Sequence, residues 1–474
     1  MKQVDARIRI AKDSFVLFLS QLTGRFASFI SVVLVGRYLN VGGFGLLSYS
    51  FTLVYFLTLF VEFGLSPYLI RLFAGKEGPK RELLTASFFI KSFNYFIGII
   101  IVFLWTILFN KDYLEHKYYC LILIPFFEGL YFSYTAVLSS QEQFVRQATV
   151  GLIYDITRGL LVSLAAVIWK TIDAVAVGYV LAASIMWLIS FFLLTKRNLF
   201  PVKRISSTTI KKMYKGTLWF FIYAITFQIY FKINLIMLNF IRGNTEVGLY
   251  SAAYKFFEVF LFLPALLMGV LYPRFAKYES KVTVNERASE VQTYLCILGL
   301  SIVMFIFIFA KPIIKYSFGD NYMGAVVLLK ILILTLGLYF FNCILPTSLN
   351  SQGYERRTIV ALIVGIALNI VMNVLFIPSL GAMGASIATL IAEIIVTLFY
   401  YIFFVISFGK MSIDLRIWKT AIICLTILGT SLILNSENYL IGLSLLFCYP
   451  AIIFLTKTVS RKDLKILKQV FTNG

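Results

Sequence analysis

Apolar residues run through this chain in long blocks, and polar residues gather in the short stretches between them. Residues 44–66 read FGLLSYSFTLVYFLTLFVEFGLS, and residues 175–195 read VAVGYVLAASIMWLISFFLLT. Each block has about the length, roughly 20 residues, that a helix needs to cross a hydrocarbon layer. Inside lipid, only helices and closed barrels satisfy every backbone N–H and C=O group. The period-two alternation of barrel strands is missing, so the blocks are predicted as helices. Fourteen segments follow one another, at 14–36, 44–66, 85–109, 118–140, 148–169, 175–195, 218–241, 248–272, 291–310, 325–345, 358–377, 383–406, 417–434 and 439–456. The longest connection, around 196–217, is too small for a soluble domain. The pattern predicts an all-α polytopic integral membrane protein with about 14 transmembrane helices.

Composition agrees. Of 474 residues 60% are hydrophobic and only 14% are charged, whereas a soluble domain carries about 25%. The net charge of +21 matters chiefly for where it falls. With the N-terminus placed inside, the inside segments hold 30 Lys and Arg and the outside loops hold 7. So large a bias over short loops is a positive-inside signal and predicts that both termini are cytoplasmic. This charge borders the spans, where it orients them and meets anionic lipid, so no nucleic-acid partner is expected. The opening MKQVDARIRIAKDSF is charged, lacks a small-residue cleavage site and reads as a retained cytoplasmic end. Cys120, Cys296, Cys343, Cys424 and Cys448 all fall inside apolar blocks and read as packing residues, while the single His116 lies in a loop. Neither a metal site, a disulfide framework nor a cofactor is expected.

The basic loop after the sixth segment divides the chain. At an offset of 203 residues, Gly45 matches Gly248, Leu46 matches Leu249, Ser48 matches Ser251 and Arg71 matches Arg274. Both halves start inside, so the pattern predicts a parallel repeat of six-helix lobes, an arrangement many transporters use to alternate access. The expected division is 1–215 for the first lobe, 216–410 for the second, and 411–474 for a terminal helix pair with a basic tail.

Ionisable residues within the apolar segments are the candidate functional groups, since a charge at the bilayer centre costs about 2.5–3.5 kcal/mol on insertion scales and usually faces an interior cavity. They are Arg25, Glu62, Lys91, Glu128, Asp155, Arg158, Lys232, Lys255, Glu258, Lys330 and Glu393. Asp155 with Arg158, and Lys255 with Glu258, stand three apart on one helix face and can pair. Lys91 and Lys330 lie near helix ends and could snorkel to the headgroups; Glu62 also lies near an inside end. Arg25, Glu128, Lys232 and Glu393 are deep and have no local partner in sequence, and Arg25 with Lys232 gives the first eight helices a basic surplus. A cationic cavity of Arg25, Lys232, Lys255, Glu258, Lys91, Arg158 and Lys330 suits an anionic cargo such as a pyrophosphate, which Arg grips through paired N–H bonds and Lys meets as a point charge. Glu128, Asp155 and Glu393 are the candidates for coupling to an ion. Long outer loops carrying paired acids are missing, so no enzyme is expected.

Four stretches, GRYLNVGGFGLLSYS (36–50), GNTEVGLYSAAYKFFE (243–258), IKYSFGDNYMGAVVLLKIL (314–332) and NIVMNVLFIPSLGAMGASIATLIAE (369–393), resemble the polysaccharide flippase (Wzx-type) branch of the multidrug/oligosaccharidyl-lipid/polysaccharide exporter superfamily. Physically, Gly243 and Asn244 supply a turn, Pro378 is expected to end a helix, Gly381 to turn the chain, and Gly384, Ala385 and Ser386 to allow close helix approach. The resemblance implies two lobes forming a V around a central cavity, with helices 1, 2, 7 and 8 lining the cleft, and working by alternating access as a monomer. Helices 13 and 14 resemble the extra pair of the lipid II flippase. That relative also implies a sodium site in the second lobe, here Asn234, Asn369, Asn373, Ala385 and Thr389, with amides standing where the relative has acids.

The cargo implied is an undecaprenyl-pyrophosphate-linked oligosaccharide repeat unit, moved from the cytoplasmic to the periplasmic or outer leaflet of a bacterial cytoplasmic membrane for O-antigen (lipopolysaccharide), capsule or exopolysaccharide synthesis. The partners are then that lipid-linked anionic oligosaccharide, membrane lipids and other polysaccharide-assembly proteins, with proton or sodium as the coupling ion. The alternatives weighed are a cation-coupled multidrug antiporter of the same fold and, from a different class, a membrane polysaccharide polymerase or ligase.

Overall fold

The computed structural model describes residues 2–75, 80–109, 117–197, 199, 205–412 and 414–433. These residues form fifteen α-helices and two short 3-10 turns, and no strand occurs among them. In order they are α1 Lys2–Tyr38, α2 Val41–Glu62, α3 Leu65–Ala74, α4 Lys80–Phe109, α5 Ile124–Ser140, α6 Phe144–Ile168, α7 Ile172–Lys196 and α8 Ser207–Arg242. There follow α9 Asn244–Phe275, α10 Lys281–Ser317, α11 Ala325–Asn342, α12 Ile344–Ser351, α13 Glu355–Leu380, α14 Ala382–Phe408 and α15 Leu415–Ile433. Among the described residues, 12 helical stretches are long and apolar enough to cross a membrane, and they coincide with the first twelve expected segments. The thirteenth is α15, which lies against α10, with Ile427 and Cys424 packed on Met304. The segment expected at 439–456, together with His116 and Cys448, lies outside the described residues.

The chain divides into two compact units, Met1–Lys232 and Ile233–Gly474, with the division inside α8. The first half of α8 belongs to the first unit because it is pinned there: Thr209 Oγ1 donates to Glu82 Oε1 at 2.8 Å and Tyr214 OH to Asn94 Oδ1 at 2.7 Å. The second apolar segment makes room for it. Phe63 (φ 45°) and Gly64 (φ 72°) take left-handed conformations that separate α2 from α3. A Cβ at Gly64 would stand 2.6 Å from Phe220 Cβ and 2.8 Å from Thr217 O, so only glycine fits there.

Within each unit the same neighbours recur. In the first, α1 lies along α6, α6 along α7, α5 against α7, and α2 and α3 against α5. In the second, α13 lies along α14, α11 against α14, and α9 against α11, while α8 reaches α13 through the Asn234–Asn373 hydrogen bond. The core of the second unit is α11, whose Leu329, Leu332, Ile333, Leu336 and Phe340 are completely buried. The outer surfaces are apolar, with Ile100, Ile101, Phe103, Leu104 and Leu108 of α4 all exposed, as lipid contact requires and water would penalise.

Pro378 does not end its helix, contrary to expectation; α13 continues to Leu380. Proline removes only the ladder N–H to Val374 O, so it can sit in a last turn, whose own final carbonyls take donors from elsewhere. Arg242 supplies them, its Nε donating to Ile377 O at 3.2 Å and its Nη2 to Pro378 O at 2.5 Å. The chain then turns at Gly381 (φ 56°), and Glu246 Oε2 accepts from Ala382 N at 2.7 Å, placing a carboxylate on the first turn of α14. The turn between α8 and α9 thus grips the turn between α13 and α14 at both polar ends.

At Gly384, α14 lies close against the α13 backbone, since a Cβ there would stand 2.5 Å from Phe376 O. Gly384→Ala is expected to lower stability by about 1–3 kcal/mol through overpacking. Gly269→Ala, where nothing lies within 4 Å, is expected to be neutral or slightly stabilising. Thermal unfolding of the two variants in detergent checks the contrast.

Candidate functional site

The charged groups of the first unit are organised by the contact between α1 and α6. Both helices carry small residues four apart, Ser20, Gly24 and Ser28 on α1 and Gly151, Asp155, Gly159 and Ser163 on α6. Ser20 Oγ donates to Ala148 O at 2.8 Å and Ser31 Oγ to Gly159 O at 3.1 Å, fastening the pair. Gly24 leaves the space that Asp155 fills, because a Cβ there would stand 2.1 Å from Asp155 Oδ2. The Asp155 carboxylate meets Arg158 at 2.7 Å and lies within electrostatic reach of Arg25, and Arg158 also donates to Ser28 Oγ at 2.8 Å. Asp155 and Arg158 each keep 27% of their side chains exposed, and Arg25 is exposed. The Arg158 guanidinium lies over the Tyr154 ring, 5.1 Å from its centroid.

Tyr154 extends this network inward. Its hydroxyl donates a short hydrogen bond to Glu128 Oε1 on α5, so Glu128 is partnered, although it has no partner near it in sequence. Glu128 is in turn within electrostatic reach of Arg158 and Glu62. Glu62 accepts from Ser66 Oγ at 2.7 Å and pairs with Lys91 of α4 at 2.5 Å. Lys91 completes its set of acceptors with Gly129 O and Ser133 Oγ, both at 2.8 Å. Its side chain is 3% exposed, so Lys91 does not snorkel to the headgroups. Burial beside a carboxylate and two further oxygens is the better solution for an ammonium whose helix is covered on that face. In this network three cations (Arg25, Lys91, Arg158) accompany three carboxylates (Glu62, Glu128, Asp155). Lys232, at the end of this unit, is half-buried on α8 and engaged there.

The second unit holds its polar residues differently. Lys255 and Glu258 pair at 2.7 Å and remain about 30% exposed, while Lys330 lies over the Phe307 ring at 5.0 Å. Glu393 is buried and accepts from Asn342 Nδ2 at 2.7 Å, which donates as well to Thr397 Oγ1 at 2.7 Å. The five residues expected to gather around a cation do gather. Asn373 Nδ2 donates to Asn234 Oδ1 at 2.5 Å and to Asn369 Oδ1 at 2.9 Å. Asn234 Nδ2 donates to Thr389 Oγ1 at 2.9 Å and to Tyr250 OH at 3.3 Å, and Thr389 Oγ1 donates to Ala385 O at 2.8 Å. Every ligand in this set is neutral, and two of its amide oxygens already accept from an N–H group, so the cluster does not fit sodium as it stands.

Tyr154, Tyr250, Ser28, Asn342, Arg242 and Glu246 escaped the sequence reading. Tyr154 carried one signal, its position next to Asp155 and four before Arg158 in an apolar segment; the others acquire their meaning only from residues on other helices.

Twelve apolar helical stretches among the described residues, with charged and amide networks inside the units, make the architecture of a polytopic membrane protein. The chain belongs to the polysaccharide biosynthesis protein family, whose model matches residues 10–279. It is 25% identical over 170 residues to the Haloferax volcanii protein named Probable flippase AglR; the match takes in 34% of this chain, which spans about a third (35%) of that relative's length. In fold it is similar to the lipid II flippase MurJ in an inward closed conformation, with a TM-score of 0.77 at 16% identity, covering 94% of this chain and 100% of that one. It is also similar to an inward-facing multidrug resistance MATE family transporter of the MOP superfamily, with a TM-score of 0.61 at 14% identity, covering 80% and 94%. These neighbours are transporters and not catalysts, and the fold is theirs.

Lys91→Ala is expected to destabilise the protein by about 3–5 kcal/mol because it leaves the Glu62 charge buried alone. The double variant Glu62→Gln/Lys91→Met is expected to recover most of that loss. A thermal double-mutant cycle in detergent measures both.

Proposed function

We propose that this protein is a flippase that carries an undecaprenyl-pyrophosphate-linked oligosaccharide repeat unit from the cytoplasmic to the outer leaflet of a bacterial cytoplasmic membrane, for O-antigen, capsule or exopolysaccharide synthesis. The observation that carries this reading is the exposure of charge within apolar helices. Arg25 is exposed on α1, and the Asp155–Arg158 and Lys255–Glu258 pairs each keep more than a quarter of their side chains open. Hydrocarbon does not tolerate such groups, so they face water or a polar cargo. Membership of the polysaccharide biosynthesis family and the flippase fold support the same assignment.

The residues divide the work by chemistry. Arg25 offers a planar fork of donors to a phosphate, while Asp155, close to it, withholds the guanidinium until a stronger anion arrives. Lys232 and Lys255 add point charges, and Glu258 balances Lys255 when no anion is present. The buried Lys91–Glu62 contact holds α4 to α2, and the Tyr154–Glu128 contact holds α6 to α5. Lys91 therefore acts as a scaffold for the cargo site, and Lys330 rests on the Phe307 ring.

Arg25→Ala or Lys232→Ala is expected to abolish surface polysaccharide while the protein remains in the membrane, and lipid-linked single repeat units should then accumulate on the inner leaflet. Normal polysaccharide in both variants would refute the cationic site, and accumulation on the outer leaflet would favour a polymerase instead.

A further inference from the structure

The amide cluster of the second unit has the outline of a cation site and the chemistry of something else. Asn234 on α8, Asn369 and Asn373 on α13, and Thr389 on α14 bring three amides and a hydroxyl together in a buried place, with Tyr250 of α9 closing one side. A cation would sit where several oxygens converge. Here an amide NH2 group sits at the convergence. Asn373 Nδ2 points its two hydrogens at Asn234 Oδ1 and Asn369 Oδ1, and the Asn234 amide points its own at Thr389 and Tyr250. The partial positive charge of N–H groups does the work of an ion.

We propose that this cluster is a cation-independent latch, in which the Asn373 amide replaces a bound cation and ties α13 to α8, while the Asn234 amide ties α8 to α14. Three observations favour this over weak sodium binding. All of the ligands are neutral, and sodium would have to be stripped of its water against amide and hydroxyl oxygens alone. The carboxylate that follows on the same face of α14, Glu393, lies four residues beyond Thr389, and its Oε1 accepts from Asn342 at 2.7 Å. Asn373 Oδ1 is buried and receives no hydrogen bond, which marks the orientation of the amide as set by its NH2 side. With the Asn234 and Asn369 amides oriented as they are, turning that oxygen inward would exchange two hydrogen bonds for three oxygens facing one another, an arrangement that would call for a cation. An aspartate at 373 has no NH2 to offer and places oxygen on both sides, so it should convert the latch into a site that demands a cation.

The test is thermal unfolding of the full-length protein in detergent, in sodium, potassium and choline chloride at matched ionic strength. It reads the cluster independently of any cargo, so its failure is separable from failure of the flippase assignment. The native protein is expected to melt at one temperature in all three salts, and Asn373→Asp to gain a saturable, sodium-selective upward shift. Asn373→Ala is expected to lower the melting temperature equally in the three salts, and it keeps the idea testable if the aspartate variant does not fold. A saturable sodium-selective shift in the native protein, or one that Asn373→Ala removes, would overturn the proposal. So would a folded Asn373→Asp protein that ignores sodium.

Discussion

A charge inside a bilayer must find either an opposite charge, a set of hydrogen-bonding oxygens, or water. The interior of this molecule is arranged around that requirement. Lys91 meets a carboxylate, a carbonyl and a hydroxyl in a dry place. Glu128 meets a phenol. Asp155 and Arg158 meet each other and keep part of their surface open. The first two solutions hold helices together; the third leaves two charges partly open at their surface.

Meeting these demands requires helices to come close, and small residues make that possible. Apolar side chains gain little from packing against each other in lipid, so association relies on fit and on polar contacts. Gly24 gives Asp155 room to lie against α1, and Gly159 lets Ser31 reach its carbonyl. Gly384 does the same for α14 against α13. In each case the glycine matters through the partner it admits.

The two units solve the problem with different chemistry on the same plan. Both join their first and fifth spanning helices through side chains at the contact, and both set the sixth beside the fifth. The first unit uses ions and serines there, and the second uses amides. Ion pairs can be opened by a competing anion, whereas a closed set of amides has little to gain from one.

Much of the fold was legible in the chain itself. Segment length and apolar character located all twelve described spans, and Asn234, Asn369, Asn373, Thr389 and the Ala385 carbonyl, named together from a resemblance, lie in one hydrogen-bonded cluster. Pairs three apart on one helix, Asp155–Arg158 and Lys255–Glu258, were readable because helix periodicity alone brings them together. What the sequence could not contain was the identity of partners on other helices. Lys91 is 29 residues from Glu62, Tyr154 is 26 from Glu128, and Asn234 is 139 from Asn373. Nothing local distinguishes a lysine that reaches the headgroups from one that turns inward to an acid. Hydrophobicity along the chain determined which residues enter the membrane, since transfer into lipid depends on each segment's own composition. Tertiary structure alone decided which charges are neutralised, because that depends on which helix faces which across a few ångströms.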